Sequence, residues 1–307
     1  MWSRAQRETP PARFPKQNDR SLPLILLATC RDLPQLTRSD LLLADELRAR
    51  GVGVRALPWD SIAPSEAKSS RVCLRSTWDY HLRSPEFQEW IETFSQIPGA
   101  LWNPPDTVLW NLDKAYLRDL EKAGIPLPPV LSFEPGYRPD LKALLAERDW
   151  ARAVLKPRVS ASAHGTHLIS AGETLTAEEW VPLLASGALL QEFVPEIQTG
   201  GEVSLMFLAG GFSHAVRKMP APRDFRVQEY FGGKTVLEEP RRELVAFGER
   251  VVRAICRPWI YARVDVVETD RGPLLMELEL IEPELFLNFA PGAAAVLADA
   301  LIAHASE

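Results

Sequence analysis

The amino-acid sequence predicts an α/β protein of more than one domain, and three observations carry that expectation. Short apolar runs at Leu22–Thr29, Val52–Trp59 and Arg71–Thr77 alternate with a helical pattern at Ser39–Arg50, as in a Rossmann-like α/β unit covering residues 21–105. The chain is then strand-rich from Leu189 to Gly233, and Tyr261–Glu268 and Pro273–Ile281 read as two further apolar strands. Finally, 307 residues are more than one compact core ordinarily holds.

Each element follows from local chemistry. Residues 1–20 mix Pro10, Pro11 and Pro15 with basic residues and lack an apolar core, so they are expected to be a disordered leader, not a secretory signal. Gly51 supplies the stop for the 39–50 helix, and Asn103-Pro104-Pro105 punctuates the end of the first domain. Asn111 is expected to cap a helix running to Ala123 and stopped by Gly124. Three prolines lead into a strand at Val130–Phe133, and Ala151–Pro157 and Thr166–Ser170 flank a turn of small residues. Thr176 with Glu179 forms a capping box for a helix to Ala185. Arg241–Cys256 is amphipathic, and a helix over 292–304 ends the chain.

Composition narrows the function. A content of 46% hydrophobic and 25% charged residues suits a soluble globular enzyme. A net charge of −6 argues against a nucleic-acid surface, which needs a basic stripe. No apolar run is long enough to predict a membrane span. Cys30, Cys73 and Cys256 are few, odd in number and set in apolar surroundings, which predicts a reduced cytoplasmic protein without a zinc site or disulfide framework.

The most informative stretch is Leu274–Pro283. Glu277 and Glu279 alternate along a strand and so share a face, which Asp265 joins if the two C-terminal strands pair antiparallel. Crowded carboxylates need a compensating cation, and an all-oxygen set suits Mg²⁺. Taken alone, the pattern reads equally well as an acidic strand face balanced by Arg263.

Other segments add cations. Lys156 ends a strand before the small-residue loop Ser160–Gly165, where backbone N–H groups can approach a phosphate, although a plain strand-end lysine fits as well. Neither G-x-x-x-x-G-K-[ST] nor G-x-G-x-x-G occurs. Gln191–Glu196 is a strand leading into a proline hinge that could read an adenine edge. Arg217 and Lys218 are adjacent, so only one easily faces a shared site; Arg223 and Arg226 enlarge the cationic set or are simply solvated, and Gln228 shares a face with Arg226. Arg75, Trp78, Asp79 and Tyr80 follow a strand, where a loop places ligand contacts. No G-x-S-x-G elbow or metal-spaced histidines point to covalent or zinc chemistry.

The order of these pieces resembles the ATP-grasp superfamily over roughly residues 105–290: Lys114, Lys156, the 191–196 hinge, Lys218, Arg226, then Asp265, Glu277 and Glu279. Within it, Arg75–Tyr80, Trp110–Lys114, Lys156–Ala161, Ser213–Lys218, Asp224–Gln228 and Ala262–Asp265 are similar to the glutathione-synthetase-like branch containing the cyclo-ligase of D-cycloserine biosynthesis. The resemblance implies an N-terminal pre-ATP-grasp domain (21–105) and a two-lobed α+β ATP-grasp domain, with a central lobe at 106–195 and a C-terminal lobe at 196–307.

It also implies roles. Lys114, Lys156, Ser160, Gln191, Glu192, Phe193, Val194, Glu196 and Glu202 would hold ATP. Asp265, Glu277 and Glu279 would hold one or two Mg²⁺, or Mn²⁺, with Glu279 standing where many relatives have Asn. Lys218, Arg226 and Arg263 would stabilise the transferring phosphoryl group, and Arg75, Trp78 and Asp79 would meet the substrate. The implied activity is an ATP- and Mg²⁺-dependent carboxylate–amine ligase acting through an acyl phosphate on a small amino-acid-like carboxylate, within one molecule or between two. A small-molecule kinase of the same fold and a nucleotide-binding protein without catalysis are the alternatives. The implied partners are ATP and that substrate, without nucleic acid or membrane, and homo-oligomerisation is left open.

Overall fold

The computed structural model describes residues 24–222 and 224–305, so the expected leader, the start of the first strand at Leu22, and Arg223 lie outside the described residues. β1 (Leu24–Thr29) lies between β2 (Val54–Pro58) and β3 (Ser70–Ser76), and β4 (Leu101–Trp102) extends a parallel sheet of order β2-β1-β3-β4. β1 is apolar from Leu24 to Ala28 because both faces are covered. Ile25 and Leu27 pack against Leu43 and Leu47 of α1 (Arg38–Ala49), while Leu26 meets Phe87 and Ile91 of α2 (Ser84–Phe94). Thr37, rather than the segment at Ser39, caps α1 by accepting the Asp40 N–H at 3.1 Å.

α3 (Pro105–Leu112) and α4 (Tyr116–Lys122) lead to a second, antiparallel sheet. Its strands are β5 (Val130–Phe133), β6 (Arg152–Pro157), β7 (His167–Ser170) and β8 (Ala188–Glu192), in the order β5-β8-β6-β7. α5 (Leu141–Arg148) and α6 (Ala177–Ser186) cover one face with Leu145, Trp180 and Leu183. The Thr176–Glu179 capping box forms as expected.

After the single turn α7 (Ile197–Gly200), a third sheet takes the order β11-β10-β9-β12-β13. Its strands are β9 (Glu202–Leu208), β10 (Gly211–Met219), β11 (Lys234–Glu238), β12 (Tyr261–Thr269) and β13 (Gly272–Glu279). α8 (Arg242–Arg253) buries Leu244, Phe247 and Val251 against the odd residues of β9 and the even residues of β12. A Cβ at Gly248 would stand 2.7 Å from Leu205 and 2.8 Å from Phe207, so glycine permits this close approach. α9 (Ala293–Ala305) returns to the first layer, where Leu297 and Leu301 join the cluster of α1.

Asn111 is not the expected helix cap. It lies within α3, where its amide donates to Leu278 O (2.9 Å) and accepts from Leu280 N (2.8 Å), closing the otherwise unpaired edge of β13. Asn103 ties the layers in the same way, donating to Tyr261 O and Leu280 O and accepting from Ile260 N. These side chains fix the third sheet against the first. The sequence pattern did not single out α2, α3, α5 or the single turn α7; in α2 and α5 the apolar stripes are narrow within charged segments.

Candidate active site

Alternation along four adjacent strands builds one charged face. β12 and β13 pair antiparallel with Asp265 opposite Glu277 and Arg263 opposite Glu279. On the other side Asp265 lies opposite Ser204 of β9, and Lys218 of β10 lies opposite Glu202. Asp265, Glu277 and Glu279 therefore meet, with one oxygen from each within 4.8 Å of the others. Lys218 faces this cluster, while its neighbour Arg217 points away to Glu238 and Glu268, as adjacent strand residues must.

The face is neutralised from both sides. Arg263 grips Asp265 through Nε (3.0 Å) and Nη2 (2.9 Å) and also donates to Glu279. Lys218 reaches Glu202 (2.5 Å) and Asp265 (3.3 Å), and Ser204 donates to Asp265 at 2.5 Å. Lys114, at the α3–α4 junction, bridges Glu277 (3.0 Å) and Ser160 O (2.6 Å). Lys156 comes from the second sheet, with no hydrogen-bond or ion-pair partner among the described residues, within electrostatic reach of Glu277 and Glu202. Both earlier readings thus hold together: Arg263 balances the acids, and the acids still form a cluster.

Burial sets the ionisation. It pushes Glu279 up to about 7, with Glu277 and Asp265 adding to the shift against Arg263. Asp265 goes the other way despite its burial, because Arg263, Lys218 and Ser204 hold it well below the usual carboxylate range. Lys114 and Lys156 likewise lower Glu277 against its burial, while burial lowers Lys156 and raises Glu202. Four acids here meet four cations, and the clustered oxygens of Asp265, Glu277 and Glu279 offer a hard divalent cation an all-oxygen donor set. The donor set fits Mg²⁺.

An apolar cluster joins the second sheet to the strands of this surface. Val154 and Leu168 of that sheet, Phe193 and Val194 of the hinge, and Phe225 and Met276 form one cluster spanning both lobes. This apolar cluster includes Val267 and Met276 of the strands that carry the acids, so it lies beside the charged face, as a purine beside its phosphates requires. Gln191, on the same sheet face as Val154, is 2% exposed and its amide nitrogen has no partner. Glu192 and Glu196 bracket the hinge, whose Glu192 N–H is bound by Pro129 O and Phe193 N–H by Arg152 O.

The small-residue loop folds over the cleft. Ser160 donates to His164 O (2.6 Å), Lys114 N–H binds Arg158 O (2.9 Å), and Val159 and Ala161 rest on the first domain. His164 also touches His81, with ring centroids 5.0 Å apart. Burial, with His164 nearby, lowers His81 from 6.5 to about 4. Opening or unfolding frees that proton site, so this contact is stable above pH 6.5 and is lost as pH falls towards 4. Proteolysis of the loop should rise across that window, and His81→Phe should flatten the rise.

Three expected site residues stand elsewhere. Arg75 is 1% exposed, with its donors bound to Asp40 (2.8 Å), Pro283 O (2.7 Å) and Leu74 O. That removes it from substrate contact, and its role is to staple the interior. Asp79 accepts from Trp59 (2.8 Å) and Arg83 (3.1 Å), so both oxygens are committed within the first domain. Arg226 does not reach the carboxylates, because Asp224 holds it at 2.9 Å and Phe231 stacks on it at 3.7 Å. Trp78 stays at the cleft and donates to Glu282 O at 3.1 Å. Sequence reasoning missed Ser204 and Glu282 as members of the site. Ser204 was detectable as an alternate residue from Glu202, whereas Glu282 lies beyond the strand and carries no periodic signal.

The comparisons with known proteins agree with this architecture. A family model described as the N-terminal domain of D-cycloserine synthetase DcsG matches residues 25–103. The chain is similar to the cycloserine biosynthesis protein DcsG of Streptomyces lavendulae, at 30% identity over 277 residues that span 84% of this chain and 91% of that protein. The crystal structure of D-cycloserine synthetase DcsG superposes with a TM-score of 0.79 at 26% identity, covering 92% of this chain and 99% of that one. ATP-grasp ligase PsnB, solved with a phosphomimetic precursor variant, Mg and ADP, shares the fold with a TM-score of 0.61 at 18% identity, over 92% and 98% of the two chains.

Proposed function

The chain belongs to the family of the cycloserine biosynthesis protein DcsG, and from that membership we propose that it closes an amino-acid-like carboxylate onto a nitrogen of the same molecule. It is an ATP-grasp ligase that forms carbon–nitrogen bonds, and it uses ATP and Mg²⁺. The observation that carries the reading is the convergence of Lys114, Lys156, Lys218 and Arg263 on the Asp265–Glu277–Glu279 face beside an apolar cluster.

The chemistry follows from charge. A carboxylate oxygen of the substrate attacks the γ-phosphorus of ATP, ADP leaves, and an acyl phosphate forms. The nitrogen then attacks the acyl carbon, loses a proton and expels phosphate. Lys114 and Lys156 hold the ATP phosphates, while Lys218 and Arg263 offset the charge of the transferring phosphoryl group. Asp265, Glu277 and Glu279 would hold one or two Mg²⁺, which would supply further neutralisation of the phosphates. The 158–166 loop excludes water, which would otherwise hydrolyse the acyl phosphate. The site needs no protein nucleophile.

A phosphate-release assay with ATP and Mg²⁺ over a panel of amino-acid carboxylates, O-ureido-D-serine included, tests this reading. Phosphate release is expected to depend on the carboxylate, and hydroxylamine is expected to trap a hydroxamate. Release that is indifferent to every carboxylate, with no hydroxamate, would overturn the ligase reading. A stable phosphate ester among the products, seen by phosphorus NMR, would replace it with a kinase.

A further inference from the structure

One carboxylate at the cleft lacks what the others have. Glu277 is paired with Lys114, Asp265 with Arg263 and Lys218, Glu202 with Lys218, and Glu279 with Arg263. Further along the chain, Glu284 accepts the Phe286 N–H at 2.8 Å. Glu282 is 7% exposed, yet its carboxyl has no hydrogen-bond or ion-pair partner among the described residues. It is also outside the carboxylate cluster suited to a cation. Leaving such a group buried and unpaired is costly, so its partner is expected to arrive with a ligand.

Its place in the fold supports that expectation. Trp78 Nε1 donates to Glu282 O at 3.1 Å and Arg75 donates to Pro283 O at 2.7 Å, which staples this segment onto the exit of β3. β1 and β3 are the neighbours where the first sheet reverses its winding, and ligands of open α/β sheets bind at the carboxyl ends of such strands. There Thr77 is fully buried and its hydroxyl also lacks a partner. Glu282 is within electrostatic reach of Glu279, Lys114 and Arg263, so a ligand touching it lies beside the charged face.

We infer that Glu282 receives the amine-bearing end of the substrate. The amine of the substrate then lies at Glu282 while its carboxylate points towards Arg263 and the phosphates. This rests on the ligase reading above. A buried acceptor built for an amine rejects a molecule lacking it, because the acceptor is then left unpaired.

The test compares O-ureido-D-serine with its des-amino analogue, 3-(ureidooxy)propanoate, both read as hydroxamate formed with ATP, Mg²⁺ and hydroxylamine. In the wild-type enzyme, removal of the amine is expected to lower kcat/KM by about 10²-fold or more. In Glu282→Gln the two probes are expected to fall within about threefold of each other, and Glu282→Asp should restore part of the preference. A wild-type enzyme that forms no hydroxamate from either probe overturns the ligase reading and this inference with it. Equal use of both probes by the wild type, or an undiminished preference in Glu282→Gln, overturns the inference alone. Should Glu282→Gln fail to fold, the wild-type comparison and Glu282→Asp decide the matter.

Discussion

Glu277→Gln is expected to lower kcat by about 10³-fold or more, equivalent to about 4 kcal/mol of lost transition-state stabilisation, while the fold survives. Glu277 lies opposite Asp265, takes Lys114 at 3.0 Å and faces Lys156 across the cleft. Glutamine keeps its size and can still accept from Lys114, so packing changes little. What disappears is one negative charge among the oxygens suited to Mg²⁺, together with the alignment of two lysines that serve the phosphates. Thermal unfolding gives a readout independent of turnover. ADP with Mg²⁺ should raise the wild-type Tm by mass action, and the Mg²⁺-dependent part of that rise should vanish in the variant. Activity within tenfold of wild type would remove Glu277 from the metal site.

Arg75→Met is expected to cost about 3–5 kcal/mol of stability without a selective effect on substrate affinity. The Arg75 guanidinium and the Asp40 carboxylate are 1% and 2% exposed and 2.8 Å apart, with Tyr261 stacked 5.1 Å from the cation. Removing the arginine strands Asp40 in the core, and the loss of that partner outweighs the packing that methionine restores. The double replacement Arg75→Met with Asp40→Leu should therefore recover most of the stability, as apolar substitutes for buried ion pairs often do. Denaturant titration of the two variants measures both effects. A large rise in KM at unchanged stability would instead return Arg75 to the substrate site.

The two arginines misplaced by sequence reasoning differ in how visible their fate was. Asp224 stands two residues from Arg226 and bonds both its backbone N–H and its guanidinium, a local pattern that the sequence exposes. Arg75 finds Asp40 thirty-five residues away and Pro283 over two hundred residues away, and no spacing rule reaches that far. The lysines were easier. Lys114, Lys156 and Lys218 occupy strand ends and helix junctions in a recurring order, and each lies at or beside the cleft. Glu282 stayed hidden because its significance is an absence of partners, which only the packed molecule can display.

What the sequence determined by itself was local and periodic. The two-residue repeat put Glu277 with Glu279, Lys218 apart from Arg217, and alternating apolar residues against α8, because strand geometry permits nothing else. Tertiary structure decided which charges neutralise which, since those pairs join residues far apart in the chain and their strength depends on burial as much as on distance. It alone consigned Arg75 to the interior and left the Glu282 carboxyl buried without a direct hydrogen-bond or ion-pair partner among the described residues.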